Sequence, residues 1–175
     1  MKLTIVEYPD KRLKERSKAV EKFDSELHRL LDAMYDMMIK SNGIGLAAVQ
    51  VGHAKQVLIL NIPDDNDGQP IDNLIEMINP TIIQASGETT YQEGCLSVPS
   101  FYEDVNRYEK IAVTYQDRNS IAKTIEADGL LSIAIQHEID HLKGILFIDK
   151  LSYSRRKKFE KEYKRVQKEK KISKE

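Results

Sequence analysis

Gly129-Leu130-Leu131-Ser132-Ile133-Ala134-Ile135-Gln136-His137-Glu138-Ile139-Asp140-His141-Leu142 is the stretch on which the reading of this fold turns. It reads as a helix, ended by Gly144. Helical residues four apart stack on one face, so His137 and His141 can reach a single metal ion together. Glu138 stands one step round the helix, beside such an ion, where a carboxylate can take a proton from water the metal has activated. This HExxH arrangement points to metal-assisted hydrolysis.

Working outward, the segments before this helix read as strands. Val57–Ile62, Glu76–Gln84, Ile111–Gln116 and Ile121–Glu126 are short and rich in β-branched residues. Asp64-Asp65-Asn66-Asp67-Gly68 and Asp117-Arg118-Asn119-Ser120 supply turns, the second closing a hairpin. Asp24 to Lys40 reads as an amphipathic helix with Leu27, Leu30, Leu31, Met34, Met37 and Met38 on one face. Asp24 is its expected N-cap, and Asn42-Gly43 its stop. Tyr153 to about Lys171 reads as a last helix with Phe159, Tyr163 and Val166 as its apolar stripe. Helices at both ends of a strand-rich middle predict an α+β fold, with mixed or antiparallel sheets around the central HExxH helix.

A chain of 175 residues fits one domain, with residues 1–150 as the catalytic body and 151–175 as a basic C-terminal helix of the same domain. No apolar run approaches the roughly 20 residues a membrane span needs, and the first residues lack a secretory signal's apolar core. Cys95 is the only cysteine, so no internal disulfide forms, and a reduced, cytoplasmic setting is expected. The net charge of −1 conceals an asymmetry. Residues 150–175 hold 12 Lys/Arg against 4 Asp/Glu. An acidic body with a basic tail fits either a solvated helix or contact with an anionic partner such as RNA.

A catalytic metal needs a third protein ligand and an open position. Phe147 stands where the longer form of the motif places a third histidine. Glu160 and Glu162 fall in the charged tail, while His28 and His53 have no supporting residues around them. Cys95, in Glu93-Gly94-Cys95-Leu96-Ser97-Val98-Pro99, is the better candidate, since a thiolate binds Zn²⁺ or Fe²⁺ strongly. A lone cysteine can also be a small buried hydrophobe, or a nucleophile activated by a histidine.

Three segments together resemble the peptide deformylase family. They are Gly43-Ile44-Gly45-Leu46-Ala47-Ala48-Val49-Gln50, Glu93-Gly94-Cys95-Leu96-Ser97 and Gln136-His137-Glu138-Ile139-Asp140-His141, in matching order and spacing. The resemblance implies removal of formyl from the N-terminal formyl-methionine of new bacterial polypeptides, releasing formate. It assigns one divalent metal to Cys95, His137 and His141, with Fe²⁺ as the native ion and Zn²⁺, Ni²⁺ or Co²⁺ able to replace it. It makes Glu138 the general acid/base, with Gln50 and the Leu96 N–H stabilising the developing oxyanion. Ile44, Gly45, Tyr91, Glu93, Gly94, Leu130, Ile133 and Ala134 are then expected around the substrate. Leu130, Ile133 and Ala134 share the His137 face of the helix, although core packing would explain them equally well. Arg107 matches a family arginine that supports the Cys95 loop from behind. Where many relatives carry an arginine, this chain has Tyr102. The partner expected is a formylmethionyl peptide, with ribosome contact through the basic tail, and neither membrane nor DNA. An HExxH metallopeptidase and a non-catalytic metal-binding protein are the other classes compatible with the helix motif.

Overall fold

Asp24 opens the first helix, its carboxylate accepting the Leu27 N–H at 3.1 Å. In the computed structural model, which describes residues 1–174, this helix (α1) runs Ser25–Lys40. Seven strands follow: β1 (Gly45–Ala47), β2 (Val57–Leu60), β3 (Ile75–Ser86), β4 (Thr89–Cys95), β5 (Val98–Arg107), β6 (Lys110–Gln116) and β7 (Ala122–Asp128). Helix α2 (Gly129–Leu142) and helix α3 (Tyr153–Ile172) complete the chain. Five strands form one sheet in the order β1-β2-β3-β6-β7, and β4 with β5 forms a separate hairpin. The pairs in both sheets are antiparallel. The fold is α+β, as expected.

Strand β2, Val57-Leu58-Ile59-Leu60, is buried along its whole length because both faces of the sheet are covered. Side chains alternate across a strand. Leu58 and Leu60 therefore join Val113, Ile135 and Ile139 beneath α2. Val57 and Ile59 join Leu27, Leu31, Met34 and Met38 beneath α1. Helix α2 is thus enclosed on nearly all sides, with every residue from Ser132 to Leu142 buried. The turn after β6 pairs Val113 with Ile125 and Gln116 with Ala122, the hairpin its Asp-Arg-Asn-Ser sequence predicts.

Helix α2 ends where Ile145 N–H returns to the Asp140 carbonyl at 2.9 Å and Gly144 adopts φ +77°. A Cβ at Gly144 would lie 2.4 Å from the Lys14 carbonyl oxygen, so the N-terminal segment packs directly on this corner. A third cluster fixes α3. Phe159 and Tyr163 meet Tyr8 and Phe101 edge-on, and the Tyr163 hydroxyl donates to the Tyr8 carbonyl at 3.1 Å. Of the described residues of α3, Phe159 alone is fully buried. Glu175, the last residue of the expected tail, lies outside the described residues.

The β4–β5 hairpin and the short β1 strand are absent from the sequence expectation. The hairpin carries Gln92, Glu93, Glu103, Asp104 and Asn106 on its strands, so it shows no apolar alternation to read.

Candidate metal centre

Helix α2 presents His137 and His141 one turn apart, and the end of β4 brings Cys95 to them. The ligand atoms of the three lie within 4.8 Å of one another. The two Nε2 atoms are 3.2 Å apart, and Cys95 Sγ is 3.4 Å from His141 Nε2. Tetrahedral metal–nitrogen bonds of about 2.0 Å and metal–sulfur bonds of about 2.3 Å give edges of roughly 3.3 and 3.5 Å. The donor set and its spacing therefore fit one divalent cation. Burial opposes charge at His137, but Cys95 and Glu93 outweigh it and raise that imidazole well above its ordinary range. Burial, then the charge of His137, lowers His141.

Behind the histidines lies a chain of buried charges. His137 Nδ1–H donates to Glu93 Oε1 at 2.8 Å, which fixes its tautomer and leaves Nε2 toward the centre. Arg107 donates to both Glu93 oxygens, at 2.7 and 2.8 Å, and to Asp140 at 2.6 Å. Burial works against the Glu93 charge, but Arg107 and then His137 prevail and hold its carboxyl below the usual range. Arg107 thereby ties β5 both to β4 and to α2. The carboxylate of Glu93 faces this network. Three hydrogen bonds, two from Arg107 and one from His137, are thus made to the carboxylate of Glu93, a residue expected around the substrate.

Glu138 is buried, and its Oε2 has no hydrogen-bond partner among the described residues. Burial pushes its carboxyl up to about 7. Its other oxygen, Oε1, would lie 2.8 Å from a Cβ at Gly45, so β1 approaches the carboxylate as closely as a glycine permits. Gln50 is held at both ends. Its Oε1 accepts the Ala47 N–H at 2.9 Å, and its Nε2 donates to Ser97 Oγ at 3.0 Å and to Cys95 Sγ at 3.4 Å. Leu96 follows Cys95, and its side chain reaches within 2.9 Å of a Cβ placed at Gly43. The Gly43–Gln50 and Glu93–Ser97 segments thus meet beside the Cys95, His137 and His141 cluster.

A cavity of about 520 Å³ opens beside them. Ile44, Gly45, Gln50, Tyr91, Gly94, Leu96, Leu130, Ile133, Ala134 and Glu138 all line it, together with Cys95 and His137. Glu93 contributes to the wall as well, though its carboxylate is held as described. His141 and Arg107 stand behind the wall. Ile133 and Ala134 are each 6% exposed, so they serve the core and border the cavity together.

The alternative ligands are elsewhere. His28 Nε2 bonds the Arg118 carbonyl at 2.8 Å, Glu160 pairs with Arg156, and Glu162 with Arg165. Phe147 is buried and stacks on His137 with ring centroids 6.2 Å apart. Sequence reasoning missed the contacts of Ser97 and Asp140. Each lies within a quoted motif, but only tertiary contact shows Ser97 on Gln50 and Asp140 on Arg107.

Comparison with known proteins agrees with this geometry. The family model described as polypeptide deformylase matches residues 2–157. A peptide deformylase of Wolinella succinogenes is 56% identical over 94% of this chain and 97% of its own length. One from Helicobacter pylori strain P12 is 53% identical over 97% of each. The crystal structure of a peptide deformylase from Legionella pneumophila superposes with a TM-score of 0.86 at 38% identity, covering 95% of this chain and 98% of that one.

Proposed function

The chain belongs to the polypeptide deformylase family and is an enzyme acting on N-terminal formyl-methionine, and on that premise we propose how its residues do so. Cys95, His137 and His141 hold one divalent ion, and Glu138 moves the protons. One observation carries the reading: the unpartnered Glu138 carboxylate stands on the cavity wall beside two of the three metal-spaced donors. An ion held by those three residues would lower the pKa of a water and polarise the formyl carbonyl.

Glu138 accepts the proton that the attacking water gives up, since its carboxylate lines the cavity with Oε2 free of any protein partner among the described residues. As the water oxygen joins the formyl carbon, negative charge gathers on the carbonyl oxygen. The Leu96 N–H and the Gln50 amide stabilise that charge. Of the two Gln50 amide hydrogens, Ser97 holds one, so the hydrogen facing Cys95 is the one that turns to the oxyanion. Glu138 then returns its proton to the leaving nitrogen, the C–N bond breaks, and formate and a free amine result.

The peptide lies extended between β1 and β4, pairing with Gly45 and the backbone near Tyr91 as an added strand. Each of these two strands has one edge paired within its own sheet. Ile44, Leu130, Ile133 and Ala134 receive the methionine side chain. Arg107 supports the site from behind, through Glu93 and Asp140.

The native ion is Fe²⁺ in this reading, with Zn²⁺, Ni²⁺ or Co²⁺ as substitutes, because one thiolate and two imidazoles suit all four. Residues 1–150 are the catalytic body, and the following basic helix belongs to the same domain. No helix among the described residues is long and apolar enough to cross a membrane. We place the enzyme in the cytoplasm, with α3 facing ribosomal RNA. Lys158, Lys161, Lys164, Lys168, Lys170 and Lys171 support that contact, being without an ion-pair partner among the described residues.

The test is formate release from a formyl-Met peptide, with anaerobic metal analysis of the same sample. Glu138→Ala should keep the metal and lose turnover by about a thousandfold. Cleavage of internal peptide bonds in place of formate release would instead indicate a metallopeptidase.

A further inference from the structure

We infer that Gln69, a loop residue outside the cavity wall, is a positioning residue: its side-chain amide replaces one β1–β2 ladder bond and so turns the Ile44 N–H to the cavity. This rests on the deformylase reading of the same site. Strands β1 and β2 pair with Gly45 opposite Leu60. One further step of that register sets Ile44 opposite Asn61, and the Asn61 N–H donates to the Ile44 carbonyl at 2.8 Å. In a regular antiparallel ladder the same two residues exchange a second bond, from Ile44 N–H to the Asn61 carbonyl. Here Gln69 Nε2 donates to that carbonyl instead, at 2.8 Å. Its other hydrogen goes to the Gly43 carbonyl at 3.0 Å. Across a trans peptide, C=O and N–H point in opposite directions. With the Gly43 C=O turned to Gln69, the Ile44 N–H faces away from it, toward the cavity that Gly43, Ile44 and Gly45 line. Among the described residues this N–H has no hydrogen-bond partner.

The loop between β2 and β3 is folded so as to deliver that amide. Asp64 Oδ1 accepts the Asn66 and Gly68 N–H groups at 3.0 and 2.9 Å, and the Asp64 N–H donates to the Gly68 carbonyl at 2.8 Å. The turn so closed brings the chain back to the end of β2 directly before Gln69. Asn61, fully buried, then holds the Gln69 and Pro70 carbonyls through its Nδ2, at 3.3 and 3.2 Å. With its backbone fixed in this way, Gln69 loses little further freedom in keeping its amide aimed. The Ile44 N–H is thereby a preset donor for a carbonyl of an extended peptide laid along β1. Gln69 acts on the substrate without touching it.

The experiment has two readouts on Zn²⁺-loaded wild type, Gln69→Ala and Gln69→Glu, the last keeping the shape but removing both donors. The first is backbone amide hydrogen exchange, resolved by residue with NMR. Without the Gln69 amide, the Ile44 N–H should turn back to the Asn61 carbonyl, and its exchange should slow by about tenfold in both variants. Mere loosening of the loop would speed it. The second is formate release from a formyl-Met peptide and from decarboxylated formyl-methionine, a formamide that keeps the methionine side chain but has no peptide carbonyl. The ratio of the two kcat/KM values should fall by about fivefold in each variant, the size of one hydrogen bond. A general loss of activity or metal cancels in that ratio. Ile44 exchange that is unchanged or faster, or a ratio equal to that of the wild type, overturns the inference. If the wild type releases formate from neither compound, the deformylase reading fails, while the exchange rates still judge the Gln69 contact by themselves.

Discussion

The Nδ1–H of His137 donates to Glu93 Oε1 at 2.8 Å, while Arg107 grips both oxygens of the same carboxylate. An imidazole of the candidate metal centre is thereby anchored to the strand that carries Cys95. Glu93→Gln keeps the shape but removes the charge that makes the imidazole a stronger donor. It should weaken metal affinity by about 10- to 100-fold, measured by competition with a chelator. Unchanged affinity would show that the hydrogen bond orients nothing.

The contact between Gly45 and Glu138 predicts a loss of rate without a loss of metal. Alanine at 45 places a Cβ 2.8 Å from Glu138 Oε1, so the carboxylate has to move. A displacement near 1 Å costs roughly a hundredfold in turnover. Metal content should stay at the wild-type level in Gly45→Ala while kcat falls. Equal kcat in the two proteins would separate Glu138 from proton transfer.

How much of this was legible in the sequence depends on what holds each element. Helix α1 and strand β2 announce themselves because apolar side chains pack them, and Leu27 to Met38 repeat at helical spacing. The His137/His141 pair is legible because spacing on a helix fixes which side chains meet. The β4–β5 hairpin is not, since buried Arg107 and Glu93 join its strands and periodicity carries no record of an ion pair.

Removing the metal should expose a pH dependence that Glu138 causes. Its folded carboxyl is raised by burial to about 7, against an ordinary value of 4.5 for a solvated glutamate. The folded chain therefore binds more protons than the unfolded chain between those values, and stability falls as pH rises from about 4.5 to 7. The fall should amount to about 3 kcal/mol from this group. Urea unfolding in chelator at pH 5 and pH 8 measures it, taken as wild type minus Glu138→Gln. A difference that does not change with pH would contradict the burial account.

Gly144→Ala should destabilise the fold without touching the chemistry. Its φ of +77° disfavours a side chain, and the new Cβ would meet the Lys14 carbonyl oxygen at 2.4 Å. Backbone cannot yield as a flexible side chain does. A loss of about 3 kcal/mol in denaturant unfolding is expected. Wild-type stability would mean the N-terminal segment shifts freely.

Cys95 comes from a two-stranded hairpin tied across by the Arg107–Glu93 ion pair, whereas His137 and His141 come from a helix enclosed by core. A cation bridging them would therefore also be a crosslink between the hairpin and the enclosed helix. By mass action, binding stabilises whichever piece would otherwise open first. The hairpin, not the helix, gains from it. Loss of the ion and loosening of the groove then become one event, because β4 provides both a ligand and a wall of the cavity.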